Sequence, residues 1–342
     1  ETCSYPWDMD NSLPLSTNGP PDWLDDYRAL TAGCGLADVS SRSRIALTGA
    51  DRMQFLNSFC TNDIKRLAPG EGCEAFLTNH QGKTVGHVLV RVQQGDSIVL
   101  DTSPQQAAKI IQHFDRFVIS DRVEFQNQTE ATGELLVFGN DARRVLSAVG
   151  QGRLPTNLYH HALETFQGKN AVVQKVDFGG GDSFLITTRL EDLDAISASL
   201  TAAGAVLSDH AILQAIRIEA GFPVFGLDIT DDNLPQEIGR DKIAISFTKG
   251  CYLGQETVAR IDALGHVNRL LTGVRFSSAE IPSAGTELFA ADKSVGKVTS
   301  VCWSPQLAAP LAFALLRRAQ SAPGTKLSSA LGPADVVALP IK

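Results

Sequence analysis

The residues with the clearest chemical potential lie in one octapeptide, residues 249–256, which reads Lys-Gly-Cys-Tyr-Leu-Gly-Gln-Glu. Of the six cysteines in the chain, only Cys251 is set in such a glycine-rich, charged context. The two glycines let the backbone turn sharply around the thiol. The positive charge of Lys249, and a helix that begins near Gln255, would favour the thiolate. The pattern predicts a reactive or ligand cysteine, and the alternative is a buried structural cysteine in a glycine-rich turn.

Glu219 is the second residue in an unusual position. Helix signals run from a cap at Ser208 or Asp209 to a stop at Gly221, which places Glu219 in the last turn. There the helix dipole disfavours a carboxylate by a few tenths to about 1 kcal/mol. Something must hold the charge in place: Arg217 is one candidate, and a ligand with two adjacent N–H donors is another. A surface glutamate in water is the third reading.

These segments resemble the YgfZ-type folate-binding proteins of the superfamily that contains the glycine-cleavage T-protein, an aminomethyltransferase. The octapeptide resembles the signature of that group, and the segment around Glu219 resembles the one that carries the pterin-binding glutamate of the superfamily. The ordered resemblance runs from about residue 25 to the C-terminus. Its further segments are residues 217–228, 234–237, 258–260 and 265–269, the last of which includes His266.

The resemblance implies tetrahydrofolate or a derivative as cofactor, with Glu219 holding the pterin and Cys251 near the bound folate. Lys249 and Arg260 would contact the folate or its glutamate tail. The implied role is the assembly or repair of iron–sulfur clusters, with indirect effects on cluster enzymes that modify tRNA. Cys251 would act as a transient cluster ligand or a redox-sensitive nucleophile. Because a cluster usually takes four protein ligands, it would be shared with an assembly protein, a cluster enzyme or a second subunit.

One predicted hairpin departs from the T-protein pattern. It resembles the segment Thr-Asn-x-x-Gly-Gly-x-x-Asp-Asp at Thr78, Asn79 and Gly82, but Gly86 and His87 stand at the aspartate positions. We expect no carboxylate at that site to hold a cationic amine, so aminomethyl transfer by the known route is not expected. His87 is a candidate proton shuttle or simply a half-buried histidine. A transferase with altered chemistry and a non-catalytic folate-binding module remain open as alternatives.

Composition narrows the remaining classes of function. A chain of 342 residues predicts two or three domains, and its net charge of −8 argues against a general nucleic-acid surface. The cysteines form no C-x-x-C pair, so neither a zinc site nor a self-contained cluster loop is predicted. The adjacent His160 and His161 diverge on any regular element, and the loop of Asp228, Asp231 and Asp232 is expected to be solvated. No apolar run is long enough to span a membrane, and we expect a cytoplasmic protein with reduced thiols.

The predicted fold is α+β: a folate-binding T-protein-like domain with duplicated ferredoxin-like units, followed by a small C-terminal β-barrel. A succession of hairpin and helix occurs twice, which suggests the duplication. The expected domains are a flexible tail at 1–22, the folate-binding region at 23–264 and the barrel at 265–342. The first succession has strands at 73–78, 84–92 and 97–102, a helix at 104–117 and a strand at 118–125. The second has strands at 170–177 and 183–188 and a helix at 191–203. The predicted barrel strands are 270–276, 286–289, 296–302, 313–316 and 335–339.

Overall fold

The computed structural model describes residues 21–179, 181–265 and 267–341. Most of the predicted tail at 1–22, and His266 of the motif segment, therefore lie outside the described residues. The helices are α1 Leu24–Ala32, α2 Arg52–Asn57, α3 Ala107–Asp115, α4 Ala142–Val149, α5 Leu193–Ala202, α6 His210–Glu219, α7 Asp241–Ala244 and α8 Gln255–Leu264. The strands are β1 Gly35–Asp38, β2 Ser43–Thr48, β3 Gly72–Thr78, β4 Thr84–Val92, β5 Ile98–Thr102, β6 Glu124–Asn127, β7 Thr132–Phe138, β8 His161–Phe166, β9 Lys169–Val176, β10 Ser183–Arg189, β11 Val206–Leu207, β12 Arg269–Phe276, β13 Glu287–Ala290, β14 Lys293–Ser304, β15 Ala309–Arg317, β16 Lys326–Ser329 and β17 Gly332–Val337.

Two sheets form the larger part of the molecule. One has five antiparallel strands in the order β3-β4-β5-β2-β6. The other has six strands in the order β11-β1-β7-β10-β9-β8, in which only β1 and β11 pair in parallel. The β4–β5 hairpin is followed by α3 and the β9–β10 hairpin by α5, as the repeated pattern predicted.

Successive side chains of a strand point to opposite faces of its sheet. Each of the two sheets therefore contributes apolar residues to two different cores, one on each face. The outer face of the five-stranded sheet packs on α2 and α3, and that of the six-stranded sheet packs on α4 and α5. Residues such as Phe76, Leu89, Leu136 and Leu185 form a third core, which also takes side chains from α6 and from the barrel. This third core joins the two sheets to the C-terminal part of the chain.

The C-terminal strands close into a six-stranded barrel in the order β12-β15-β14-β13-β16-β17. Its interior is a small apolar core that includes Val274, Leu288 and Val336. Closure pairs the edges of the barrel strands with each other. The prediction of an α+β fold with a C-terminal barrel is confirmed, and the ferredoxin-like description of the two units stays a prediction.

One predicted strand is misplaced. The strand expected at 118–125 is instead β6, which begins at Glu124. Ile119 is 92% exposed, and the backbone carbonyl of Arg122 accepts from the N–H of Asp51 before α2, so the backbone up to Arg122 does not pair with a strand there. The sequence analysis also left six strands unpredicted: β1, β2, β7, β8, β11 and β16. In β16 only one residue, Leu327, is apolar.

Candidate functional site

The octapeptide loop and the hairpin after β3 are in direct contact, although they lie far apart in sequence. The hydroxyl of Thr78 donates to the carbonyl of Leu253 at 2.6 Å. Gly254, at φ +81°, precedes α8, and a Cβ there would lie 2.3 Å from the carbonyl oxygen of Asn79 and 2.7 Å from the Cα of Gly82. Only glycine suits both the left-handed backbone and this close approach. The two motifs identified in the sequence therefore form one structural unit.

Cys251 lies on the exposed side of this unit, four positions before the first residue of α8. Of the five cysteines that the structure describes, it is the only exposed one. Burial raises the pKa of the Cys34 and Cys60 thiols to about 11, and it raises the pKa of the Cys73 and Cys302 thiols well above the ordinary range. Among the cysteines of the described residues, Cys251 is thus the most accessible to a partner or oxidant, and Cys73 is half-buried.

Lys249 points inward, toward the segment that follows α2. Its ammonium donates to the carbonyl oxygens of Asn57, Cys60 and Asn62 at 2.6–2.7 Å, and the residue is only 6% exposed. The Sγ of Cys60 lies 3.9 Å from the Nζ of Lys249. An ammonium has three N–H donors, and all three have a carbonyl acceptor here. Lys249 therefore fixes the loop against the end of α2, and its predicted effect on Cys251 and its predicted contact with folate stay predictions.

Arg260 lies on the exposed face of α8, whereas Val258 on the same helix is fully buried. Its side chain is not among those that line the main cavity described below. A contact between Arg260 and the pterin end of a folate is not supported by this position. Contact with an outer glutamate tail stays a prediction.

Glu219 occupies the last position of α6, as predicted, and it is 2% exposed. Its Oε1 accepts from the hydroxyl of Ser304 at 2.5 Å and from the backbone N–H of Gln306 at 3.2 Å. Its Oε2 accepts from the hydroxyl of Tyr27 at 2.5 Å and from the side-chain amide of Gln306 at 3.1 Å. Four donors from α1 and the barrel thus stabilise the charge that the helix dipole disfavours. A pterin could bind Glu219 only by replacing some of them.

Arg217, the other sequence-based candidate for holding that charge, bonds Asp228 at 2.9 Å and Ser300 at 2.7 Å. Asp228 is itself 2% exposed and also accepts from Thr299 at 2.6 Å. The prediction of a solvated acidic loop is therefore wrong for Asp228, which ties this loop to the barrel.

A buried cluster of charged side chains centres on Glu74 of β3, which the sequence analysis did not single out. Glu74 accepts from Nε2 of His87 at 2.8 Å and from two nitrogens of Arg240 at 2.5 Å each. The hydroxyl of Tyr159 donates to Glu74 at 2.5 Å, and Arg240 also bonds Asp177 at 2.8 Å. A carboxylate therefore lies beside His87 on the neighbouring strand, but Arg240, Tyr159 and His87 already occupy it. The expectation that no carboxylate is available there to hold a cationic amine stays a prediction.

Opposing effects set the ionisation of this cluster. Burial by itself would raise the pKa of Glu74, but the charge of Arg240 and the hydrogen bond with His87 outweigh it and lower the pKa to about 2. His87 is 4% exposed and its ring lies between those of Phe76 and Phe222, with centroid distances of 5.0 and 5.4 Å. His87 is therefore more deeply buried than the sequence suggested, and its Nε2 is hydrogen-bonded to an ionised carboxylate.

The main cavity, of about 600 Å³, lies between the end of α6, α7, α8 and the barrel. Gln236 and Arg240 line it, together with Ala220 and Gly221, the residues that follow Glu219. Gln236 donates to the carbonyl of Val258, whereas its own side-chain oxygen is buried without a hydrogen-bond donor from the described residues. Arg240 links the cavity to the Glu74–His87 pair. The cavity therefore offers room for a bicyclic ligand, a wall residue whose acceptor oxygen has no partner among the described residues, and a cationic wall.

Cys251 and Glu219 do not themselves line this cavity. In the parts of the chain that the structure describes, no group of three or more His, Cys, Asp or Glu side chains is placed to hold a metal ion. Across the same parts, no helix combines the length and apolarity needed to cross a bilayer.

Family models match most of the chain in two segments. The model described as the GCVT N-terminal domain matches residues 5–249. The model of the glycine cleavage T-protein C-terminal barrel domain matches residues 269–341, the barrel strands described above.

Individual proteins match over most of their length. An aminomethyltransferase from Halalkalibacterium halodurans is 25% identical over 312 residues, covering 89% of this chain and 84% of that protein. One from Nostoc sp. is 27% identical over 299 residues, covering 84% and 78%. The crystal structure of the glycine cleavage system aminomethyltransferase T from Bartonella henselae superposes with a TM-score of 0.84 at 20% identity, covering 93% of this chain and 89% of that one. This structural likeness bears on the fold alone.

Proposed function

Because the chain belongs to the glycine-cleavage T-protein family, whose members bind tetrahydrofolate derivatives, we propose that it binds tetrahydrofolate and acts in iron–sulfur cluster assembly or repair through Cys251. The observation that carries the second part is the exposed thiol of Cys251 on a loop fixed from both sides. Lys249 fixes the loop at α2, and the contact at Gly254 fixes it at the hairpin. A rigid loop with one open thiol suits transfer of a ligand between proteins.

The main cavity supports the folate part of the proposal. A pterin presents adjacent N–H donors, and the open oxygen of Gln236 is an acceptor on the cavity wall. Arg240 is a wall cation for an anionic or carbonyl group of the ligand. Glu219 precedes Ala220, which lines the cavity, but does not line the cavity itself. To bind the pterin, Glu219 would have to give up some of its hydrogen bonds with Tyr27, Ser304 and Gln306.

Cys251 would supply one ligand of a cluster that is in transit. Since four protein ligands are usual, the other three would come from the donor or acceptor protein, and the cluster would leave when that protein completes its own ligand set. This makes the partners iron–sulfur assembly proteins or cluster enzymes that bind transiently. In this proposal the effect on tRNA modification is indirect, through enzymes that need a cluster.

The test compares Cys251→Ala with Cys73→Ala, a control that removes a half-buried thiol packed against the core beneath α2. Both variants should bind tetrahydrofolate within twofold of wild type in calorimetry. Only Cys251→Ala should fail to restore cluster-dependent enzyme activity in cells that lack the protein. Full rescue by Cys251→Ala would contradict the cluster role and leave the folate part standing.

A second candidate is folate-dependent aminomethyl or methyl transfer with altered chemistry. The comparisons fit it better than they fit cluster assembly, because the relatives are named aminomethyltransferases. The hydrogen-bonded pair of Glu74 and His87 also lies at the hairpin where the T-protein carries its aspartates. It predicts tetrahydrofolate-dependent turnover of an amine or methyl donor, retained in Cys251→Ala and reduced at least tenfold in His87→Ala. Wild-type protein without such turnover removes this candidate.

A non-catalytic folate-binding module is the remaining alternative. It predicts that tetrahydrofolate raises the melting temperature, whereas alkylation of Cys251 changes neither folate affinity nor the maturation of cluster enzymes. Loss of maturation after alkylation would exclude it.

A further inference from the structure

A second charged cluster lies between the two sheets, away from the cavity and the Cys251 loop. It contains three arginines, Arg42, Arg44 and Arg91, and two carboxylates, Asp101 and Glu134. All five residues are at most 2% exposed. Arg44, Arg91 and Asp101 belong to β2, β4 and β5 of one sheet, and Glu134 belongs to β7 of the other.

Arg44 and Arg91 share Glu134 as a counter-charge. The Oε2 of Glu134 lies 3.5 Å from Nη1 of Arg44, and its Oε1 lies 4.0 Å from Nη1 of Arg91. Burial and the neighbouring charge of Asp101 raise the pKa of Glu134 to about 7, so this carboxyl is only partly ionised near neutrality. Two guanidinium groups thus face one carboxyl that does not carry a full negative charge.

Specific donors in this cluster are also left without acceptors. In the described residues, Nε and Nη2 of Arg91 and Nη1 of Arg44 are buried and have no hydrogen-bond partner. Arg91 makes one recorded side-chain bond, from Nη1 to the hydroxyl of Thr187 at 2.6 Å. Arginine N–H groups are well suited to the paired oxygens of a carboxylate or phosphate.

A cavity of about 210 Å³ adjoins these donors. Arg44 and Arg91 line it together with Thr187, and apolar side chains that include Leu163 and Val172 line it as well. Leu163 is 68% exposed, which leaves this side open to solvent. The cavity therefore combines a cationic wall with an apolar one.

We propose that this cavity binds a small oxyanion on a short apolar stem, a carboxylate or a phosphate monoester. The oxyanion accepts from Arg91 and Arg44 and neutralises their excess charge, and the stem packs against Leu163 and Val172. The site is separate from the proposed folate site, since none of these residues lines the main cavity. Its occupancy would strengthen the contact between the two sheets, because both contribute to its walls.

The test is calorimetric titration of the whole protein with butyrate, butyl phosphate and inorganic phosphate at low and high salt. We expect saturable binding of butyrate or butyl phosphate with a Kd below about 1 mM, weakened by salt. Butyrate and butyl phosphate distinguish the two kinds of oxyanion. Weaker binding of inorganic phosphate than of butyl phosphate would show the contribution of the stem.

Leu163→Glu and Leu207→Glu form a matched pair of variants, since the two leucines are 68% and 66% exposed on opposite edges of the six-stranded sheet. Leu163→Glu should weaken binding at least threefold, and Leu207→Glu should leave it within 1.5-fold as a rough limit. Arg91→Met should abolish binding, and its folding can be checked by circular dichroism. Absence of saturable binding by wild type, or equal effects of the two glutamate variants, would overturn the proposal. Tetrahydrofolate affinity should be unchanged in Leu163→Glu. Failure of the oxyanion proposal would therefore be distinguishable from failure of the proposed folate function.

Discussion

At the scale of single residues, the ammonium of Lys249 satisfies carbonyl groups at the end of α2. Helix ends leave backbone acceptors unpaired, and a lysine is well placed to bind them there. Because its three donors are used in this way, Lys249 fixes the position of the Cys251 loop. Its burial lowers its pKa, which is consistent with a desolvated, structural ammonium.

Glu134 is the residue from which we expect the clearest pH dependence. Its pKa is about 7 in the folded protein, against an ordinary value of about 4.3 in an unfolded chain. The native state therefore binds more protons between these values, and the free energy of unfolding falls as pH rises through this range. Relative to Glu134→Gln, wild type should lose on the order of 1 to 3 kcal/mol between about pH 5 and pH 8.

Urea denaturation at several pH values measures this difference directly. Glu130→Gln is the control, because Glu130 is exposed and close in sequence. Its difference from wild type should be flat over the same range. A flat difference for Glu134→Gln as well would show that Glu134 titrates normally in the folded protein.

At the scale of elements, the start of α8 joins the two sequence motifs. Gly254 and Gly324 both have left-handed backbones, with φ of +81° and +88°, but only Gly254 is crowded: nothing lies within 4 Å of a Cβ placed at Gly324. Gly324→Ala should therefore lower the free energy of unfolding only by the cost of a left-handed backbone at alanine, about 1 to 2 kcal/mol. Gly254→Ala should cost at least roughly 2 kcal/mol more, because the loop and hairpin must separate.

Chemical denaturation of the two alanine variants gives this comparison. Increased accessibility of Cys251 to a thiol reagent in Gly254→Ala would locate the disturbance at the loop. Equal destabilisation of the two variants would mean that the close approach of loop and hairpin contributes nothing.

Elements with strong local patterns were predictable from the sequence. The strand expected at 84–92 is β4, and the predicted cap Asp209 accepts from the N–H of Ile212 at the start of α6. The charged cluster was not predictable, because the partners Glu74 and Arg240 are 166 residues apart. A glutamate in an apolar strand was its only local signal. The sequence likewise could not show that Cys251 is exposed while Lys249, two residues before it, is buried, because both depend on tertiary packing.

At the scale of the whole molecule, a shared core and a few polar ties attach the barrel to the sheets. The core between the sheets includes Phe313 of the barrel, and Asp228 bonds Thr299 across the same boundary. Glu219 makes a further polar tie, since its donors come from both α1 and the barrel. A ligand that exchanged these donors would therefore change how the barrel is attached, which would couple folate binding to the arrangement of the domains.

Glu219→Gln and Ser304→Ala separate attachment of the barrel from ligand binding. Both should lower the free energy of unfolding, Glu219→Gln by about 1.5 to 3 kcal/mol because charge-assisted bonds to Tyr27 and Gln306 are weakened. If Glu219 also binds the pterin, calorimetry should show a tetrahydrofolate affinity at least tenfold lower in Glu219→Gln and nearly unchanged in Ser304→Ala. Equal affinities in both variants would assign Glu219 to attachment alone. Unchanged stability in both would contradict the attachment role, because these bonds would then contribute nothing to holding α1, α6 and the barrel together.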